Sequence, residues 1–248
     1  LLINPNTSQS VSDLIAAEAR RAAAGDTRIE VLTAPFGVAY IETRFESLIG
    51  AYAAATLAAE HHARHDAIVV AAFGDPGIDG LREALDIPVV GLTEAALMSA
   101  CLLGKRFSII AISRRITAWY RECVQANGLL ERLASIRSLE GPLKDIGRVQ
   151  DDHGERLQAL AMSAVEDDGA DVIIIAGAPL AGLARSIKDR IPVPVVDGVS
   201  SAVCHAQTLA SLAPAPARLG SFAPPPLKPN QGLPDALARL LARDAARA

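Results

Sequence analysis

The stretch Asp66-Ala-Ile-Val-Val-Ala-Ala-Phe-Gly-Asp-Pro-Gly77 decides the fold, because it occurs twice. An apolar run with an acidic residue before it and Gly/Pro punctuation after it reads as a buried parallel strand delivering a loop at its carboxyl end. Its echo is Asp171-Val-Ile-Ile-Ile-Ala-Gly-Ala-Pro179, 105 positions on, and Pro88-Val-Val-Gly91 returns as Pro194-Val-Val-Asp197 at an offset of 106. Two strand-loop units in one order and at one spacing predict an α/β protein of two pseudo-symmetric lobes. Each would be a mostly parallel sheet flanked by helices, with a cleft between them. The expected lobes are residues 1–100 with 207–248, and residues 101–206.

With 248 residues, the chain has room for two such lobes of ordinary domain size. Half of its residues are apolar but only 4% are aromatic, so Ala, Val, Ile and Leu must fill the core, as in a sheet covered by Ala-rich helices. The longest apolar stretch, 172–184, is interrupted by Gly177, Pro179 and Gly182 and falls short of the ~18 residues of a membrane span, so a soluble protein is expected. A net charge of −4 without a Lys/Arg-rich block argues against nucleic acid and for small-molecule partners. Cys101, Cys123 and Cys204 are odd in number and lack CxxC spacing, which points away from disulfides and zinc and fits a reducing cytoplasm. All three fall inside predicted helices, where a thiol packs as a small buried hydrophobe. No secretory leader pattern is visible, although the numbered chain starts without Met.

The end of a first strand, Leu1-Leu-Ile3, leads through Asn4-Pro-Asn-Thr-Ser8 into a helix over 11–24. Asn6, Thr7 or Ser8 can cap that helix, and the same groups at a helix N-terminus can hold an anion. A strand over 28–33, the loop 34–42 with Tyr40 and Glu42, and an Ala-rich helix over 43–64 follow. Arg44 stands in that helix's first turn, where a cation opposes the dipole, so it reads either as ligand-facing or as half of a surface ion pair. His61, His62 and His65 gather at the helix end, where cations are favoured, with no acidic or Cys partner in view for a metal. Further helices are expected over 78–85, 91–103, 116–127, 152–167, 183–189, 201–212 and 234–247, and strands over 87–90, 107–112, 135–139 and 193–196. The Pro-rich segment 214–234 reads as an extended strap, with the last helix packing back on the first lobe.

In open parallel sheets, ligands bind beyond the carboxyl ends of the strands. Those loops are 4–8, 34–42, 73–77, 91–94, 113–117, 177–180 and 197–200, which converge if the lobes face each other. Backbone N–H groups of Phe73, Gly74, Ala178 and Leu180 would then be donors to a carboxylate or ring carbonyl, while Pro179 has no N–H to give. The glycine spacing of a dinucleotide fingerprint, the Lys of a P-loop and a GxSxG elbow are all missing, so no cofactor and no serine nucleophile is expected. Ser113 is the one strand-end serine with a helix behind it.

Seven pieces spread over nearly the whole chain carry a resemblance. They are Ile3-Asn-Pro-Asn-Thr-Ser8, Phe73-Gly-Asp-Pro-Gly77, Pro88-Val-Val-Gly91 with Glu94-Ala-Ala96, Gly104-Lys-Arg-Phe-Ser108, Leu180-Ala-Gly-Leu-Ala184, Pro194-Val-Val-Asp-Gly198 and Gly220-Ser-Phe-Ala-Pro-Pro225. Together they resemble the aspartate/glutamate racemase superfamily, and within it the hydantoin and allantoin racemases. That resemblance implies two α/β lobes, a cofactor-free cleft and a homo-oligomer. It also implies two cysteine bases, one at each focal strand end, which remove and return a proton on opposite faces of a carbon. The matching positions here are Ala72 and Gly177, and neither can transfer a proton.

The resulting expectation is an enzyme that keeps a hydantoin-type cleft without the racemase bases. A five-membered cyclic ureide or thioureide with a carboxylate arm would be held by Asn6, Thr7, Ser8, Arg44 and Ser113. The strand-end residues Ala72, Phe73 and Gly74, with Gly177, Ala178, Pro179 and Leu180, would complete the site. Activated water would attack the ring C=O or C=S, giving hydrolysis or desulfhydration, with Glu42, Glu94, Asp75 or Asp197 as base and Tyr120 or His153 as acid. Asp75 before Pro76 and Asp197 before Gly198 also fit as turn stabilisers. Two alternatives stand beside this: a hydantoin or allantoin racemase that has lost both cysteines, and a binding protein without catalysis.

Overall fold

The computed structural model describes residues 1–141 and 143–243. Strands β1 (Leu2–Asn4), β2 (Val31–Thr33), β3 (Ile68–Val70) and β4 (Val89–Gly91) form one four-stranded sheet in the order β2-β1-β3-β4. Strands β5 (Phe107–Ala111), β6 (Leu133–Ser138), β7 (Val172–Ile175) and β8 (Val195–Asp197) form a second, in the order β6-β5-β7-β8. All pairings are parallel. The two orders are the same, so β3 and β7, the two repeated runs, hold equivalent interior positions. Burial on both faces explains why they read as unbroken apolar sequence.

Nine helices accompany the sheets among the described residues: α1 (Gln9–Ala22), α2 (Arg44–His61), α3 (Ile78–Ala84), α4 (Leu92–Leu103), α5 (Thr117–Ala126), α6 (Val149–Glu166), α7 (Leu183–Ile187), α8 (Gly198–Leu212) and α9 (Asp235–Ala242). Strand alternation sorts them into layers. Ile68 and Val70 share a small core with Ala54 and Leu57 of α2 and with Ile78 and Leu81 of α3. Val69 and Ala71 belong instead to the larger core, which α1, α4, α8 and the second sheet share. The alanine faces of α4 (Ala95, Ala96, Ala100) and α8 (Ala202, Ala206) let these two helices pack together between the sheets. Their heads nearly touch, since a Cβ on Gly198 would lie 3.4 Å from that of Leu92.

Helix starts follow side-chain caps, each satisfying an orphan amide. Ser8 accepts the Val11 amide, Thr43 and Glu46 form a reciprocal capping box, and Asp197 accepts the amides of Val199 and Ser200. The Asp197 cap starts α8 at Gly198, three residues earlier than expected. Helix α2 ends at His61 rather than 64, in a 3-10 turn (His62–Arg64). There His65 meets Glu30 at 2.9 Å, and no side-chain cluster among the described residues could hold a metal ion. Segment 213–234 contains no helix or strand and runs along the first lobe. Arg218 pairs with Asp86 at 3.0 Å, and Phe222 lies over the Arg82 guanidinium at 5.7 Å. Helix α9 then packs on α2; the expected helix end at 244–247 lies outside the described residues. The three thiols do not pack as buried hydrophobes. Cys101 is half-buried against the main core, Cys123 is half-buried, and Cys204 is exposed. Among the described residues no helix is long and apolar enough to cross a membrane.

Candidate functional site

Both interior strands end in turns made of small residues with left-handed backbone. After β3, the Asp75 amide donates to the Ala72 carbonyl at 3.2 Å, and Gly74 and Asp75 take φ of +107° and +48°. Gly74 has a second reason to lack a side chain: a Cβ there would overlap the indole of Trp119. After β7, Gly177 takes φ of +108°, and the Leu180 amide closes a 3-10 turn onto the Gly177 carbonyl at 2.9 Å.

Tyr120, on α5, joins the two turns. Its ring packs on Phe73 with centroids 4.6 Å apart, and its hydroxyl lies 4.0 Å from where a Cβ on Gly177 would stand. The ends of β3 and β7 therefore border one place. Tyr120 is only 3% exposed, and its hydroxyl makes no hydrogen bond with the described residues. Every sealed side-chain polar atom among those residues has a partner, so this hydroxyl borders a gap that a water molecule can touch. Burial pushes its pKa up, and the charges of Cys123 and Asp75 add to this, so the phenol is neutral.

Of the four expected amide donors, two are free. The N–H groups of Phe73 and Ala178, and that of Gly177, have no partner among the described residues, whereas Gly74 donates to Thr93 Oγ1 at 2.6 Å and Leu180 is used within its turn. Gln150, unmarked in the sequence, donates to the carbonyls of Pro179 (2.9 Å) and Ala181 (3.0 Å) and so pins the second turn to α6.

The expected bases are differently placed. Glu94 accepts from the Gly91 amide at 3.1 Å and forms an ion pair with Arg82, so it is a structural carboxylate. Asp75 accepts from the amides of Thr93 and Glu94, at 2.8 and 2.9 Å, at the head of α4. Burial, with Glu94 nearby, outweighs those donors and lifts its pKa to about 7. Asp197 is the α8 cap and also accepts the Gly182 amide at 2.7 Å. Glu42 alone of this group has a carboxylate without a hydrogen bond or ion pair among the described residues; its amide donates to Glu46 at 2.8 Å. His153 sits on α6 without a hydrogen-bond partner among those residues.

The expected ligand-holding groups divide likewise. Arg44 pairs with Glu122 of α5 (Nε to Oε2, 3.0 Å), the surface ion pair of its two readings, and the pair bridges the two lobes. Asn6 is buried and accepts from Asn4 at 3.1 Å and from the Ser8 amide at 3.0 Å, while Ser8 caps α1 and Thr7 is exposed. Ser113 accepts the Arg115 amide at 3.1 Å. Sequence reading also passed over Trp119 and Glu18. Glu18, on α1 and 2% exposed, takes hydrogen bonds from Arg21, Arg185 of α7 and Ser200 of α8. Burial pushes its carboxyl up, but those three donors outweigh it and hold the pKa below the usual range. A cavity of about 1030 Å³ opens at the amino ends of β1 and β3, beside Arg28, Asp66 and Gln207, away from these turns. At the strand-end side, Trp119 lies against Gly74 and Tyr120 against Phe73. Chemically, the turns present three unpaired N–H donors, a set that suits a carbonyl or an oxyanion.

The Asp/Glu/Hydantoin racemase profile matches residues 1–206. A hydantoin racemase of Paenarthrobacter aurescens is 34% identical over 232 residues, 91% of this chain and 96% of that protein. The solved allantoin racemase of Klebsiella pneumoniae is 31% identical with a TM-score of 0.89, covering 95% of this chain and 97% of its own. That of Pseudomonas fluorescens is 32% identical with a TM-score of 0.84, covering 93% and 98%. With the shared strand order and a profile match over most of its length, the chain belongs to the Asp/Glu/hydantoin racemase family.

Proposed function

We propose that this chain acts on a hydantoin-type ring as a racemase-type catalyst, promoting loss and return of the proton on the ring carbon next to a carbonyl. The observation that carries the reading is the meeting of the β3 and β7 turns at Tyr120, with the amides of Phe73, Gly177 and Ala178 unpaired in those turns. As the C–H bond breaks, its electron pair moves into the carbonyl, and the developing enolate oxygen takes the N–H groups as donors. Ala72 and Gly177 cannot carry the proton, so it passes to and from solvent water. A deep acceleration is not expected without a positioned base.

The hydrolytic expectation loses its support. Three of its four appointed bases, Glu94, Asp75 and Asp197, are engaged elsewhere in the fold, and the relatives are named for racemisation rather than hydrolysis. A binding protein without turnover is the second reading, favoured by the absence of a titratable side chain at positions 72 and 177.

Incubating enantiopure 5-substituted hydantoins and allantoin in deuterated water tests this. Deuterium at the ring carbon and decaying optical rotation, above the protein-free rate, are expected. Ring opening, or sulfide release from thiohydantoins, would overturn the proposal in favour of water attack. Thermal stabilisation by ligand without exchange would leave the binding protein.

A further inference from the structure

The space between the two turns already has an occupant. Ala72, Phe73, Ala178 and Leu180 are buried, and the Tyr120 ring packs on Phe73 at a tilt of 49° with its hydroxyl toward Gly177. Trp119 lies against Tyr120, with ring centroids 5.9 Å apart, and presses on Gly74. A flat ring seated between Phe73 and Gly177 would need the space that the Tyr120 side chain takes up there.

We infer that Trp119 and Tyr120 form a displaceable plug in the ligand seat, latched by the Arg44–Glu122 ion pair, so that ligand entry is a gated step. The inference rests on the same seat as the proposed function. A phenol packed at a tilt on Phe73, with its polar tip toward Gly177, stands as an internal stand-in for a ring with one polar edge. Its hydroxyl lacks a protein partner, so leaving the seat breaks no hydrogen bond with the described residues. Helix α5 is anchored on either side of the plug by Ile116 and Val124, 1% and 0% exposed. The motion is therefore a swing of the two side chains with a small roll of the turns carrying them, rather than departure of the helix. The latch reaches from α2 of one lobe to α5 of the other, one turn beyond Trp119, and both partners are more than half exposed, at 58% and 57%. Salt therefore weakens it.

Trp119 is the only tryptophan in the chain, so its fluorescence reports the plug alone. In ligand-free protein, raising NaCl from about 0.05 to 0.5 M should increase acrylamide quenching of Trp119 about two-fold, as the exposed latch is screened. Glu122→Gln should show the higher quenching already at low salt and respond little to more. Equal quenching of both proteins at both salt levels would overturn the inference. With hydantoin or allantoin added, Trp119 emission should shift to the red as the plug leaves, and Tyr120→Ala should bind faster. A ligand that raises the melting temperature without changing Trp119 emission would overturn the plug while leaving the proposed function standing. If no such ligand stabilises the protein, the proposed function fails, and the ligand-free quenching still decides the plug.

Discussion

The Asp75 carboxylate lies 2.8 Å from the amide of Thr93, eighteen residues further along the chain. Its other oxygen takes the Glu94 amide, so a loop after β3 caps the head of α4 from outside. In the second lobe the equivalent head, α8, is capped by Asp197, the residue directly before it. Asp75 finds room because Gly91 has no side chain; a Cβ there would overlap its carboxylate.

This cap has a pH signature. Burial lifts the Asp75 pKa to about 7, above its ordinary 3.8, so the folded state holds a proton that the unfolded chain has released. The contribution to stability is therefore full at low pH and is lost as pH rises from about 4 through 7, with a slope of at most ~1.4 kcal/mol per pH unit. Urea unfolding across that range should show Asp75→Asn with a flatter profile than the native protein. Parallel profiles would contradict the assignment.

Glu94 is placed as a structural group, so its loss should act on stability rather than on chemistry. Glu94→Gln should lower unfolding free energy by ~1–2 kcal/mol, since Arg82 and the Gly91 amide lose a charged acceptor. Exchange per folded molecule should stay within about three-fold of native, well short of the 100-fold or greater loss expected for a general base. Glu42→Gln should change neither quantity by more than these margins. A large fall in turnover with unchanged unfolding in either variant would restore a catalytic carboxylate.

The contact between Gly74 and Trp119 predicts a coupled pair. Gly74→Ala must overlap the indole and also hold a side chain at φ +107°, for a loss of ~2–4 kcal/mol. Trp119→Ala removes the overlap but not the backbone strain. In a double-mutant cycle the double variant should be at least ~1 kcal/mol more stable than the two single losses would add up to.

The fold was legible because its signals are local. Asp66 and Asp171 open two apolar runs that must each be covered on both faces, and Ser8 announces a helix start through a nearby amide, whereas the Asp197 cap moved α8 three residues from its expected start. The site was legible only as a set of loops. Tyr120 could be named, but nothing near it in sequence says that its ring lies on Phe73, 47 positions away. Asp75 reads as a turn residue because it precedes Pro76, and its partners on α4 depend on how β3 and β4 align. The same holds for the Gly74 amide, which Thr93 removes from the expected donor set, and for Gln150, whose role exists only once α6 meets the second turn.

Glu18 ties α1 to α7 and α8 beside that second turn. Glu18→Ala would leave Arg21 and Arg185 without their acceptor and should lose ~2–3 kcal/mol, the low end for a buried pair because both arginines are partly solvated. Its carboxyl is held below the usual range, so this stabilisation is present above the unfolded pKa near 4.5 and fades as pH falls through the folded value. Acid unfolding of Glu18→Gln should accordingly be less steep than that of the native protein.

The central claim is that the turns after β3 and β7 form one ring-binding seat. The most direct measurement follows the backbone amide resonances of Phe73, Gly177 and Ala178 during titration with a hydantoin. The account predicts that all three shift together along one binding curve. Shifts confined to one lobe's turn, or shifts elsewhere with these three unmoved, would contradict it.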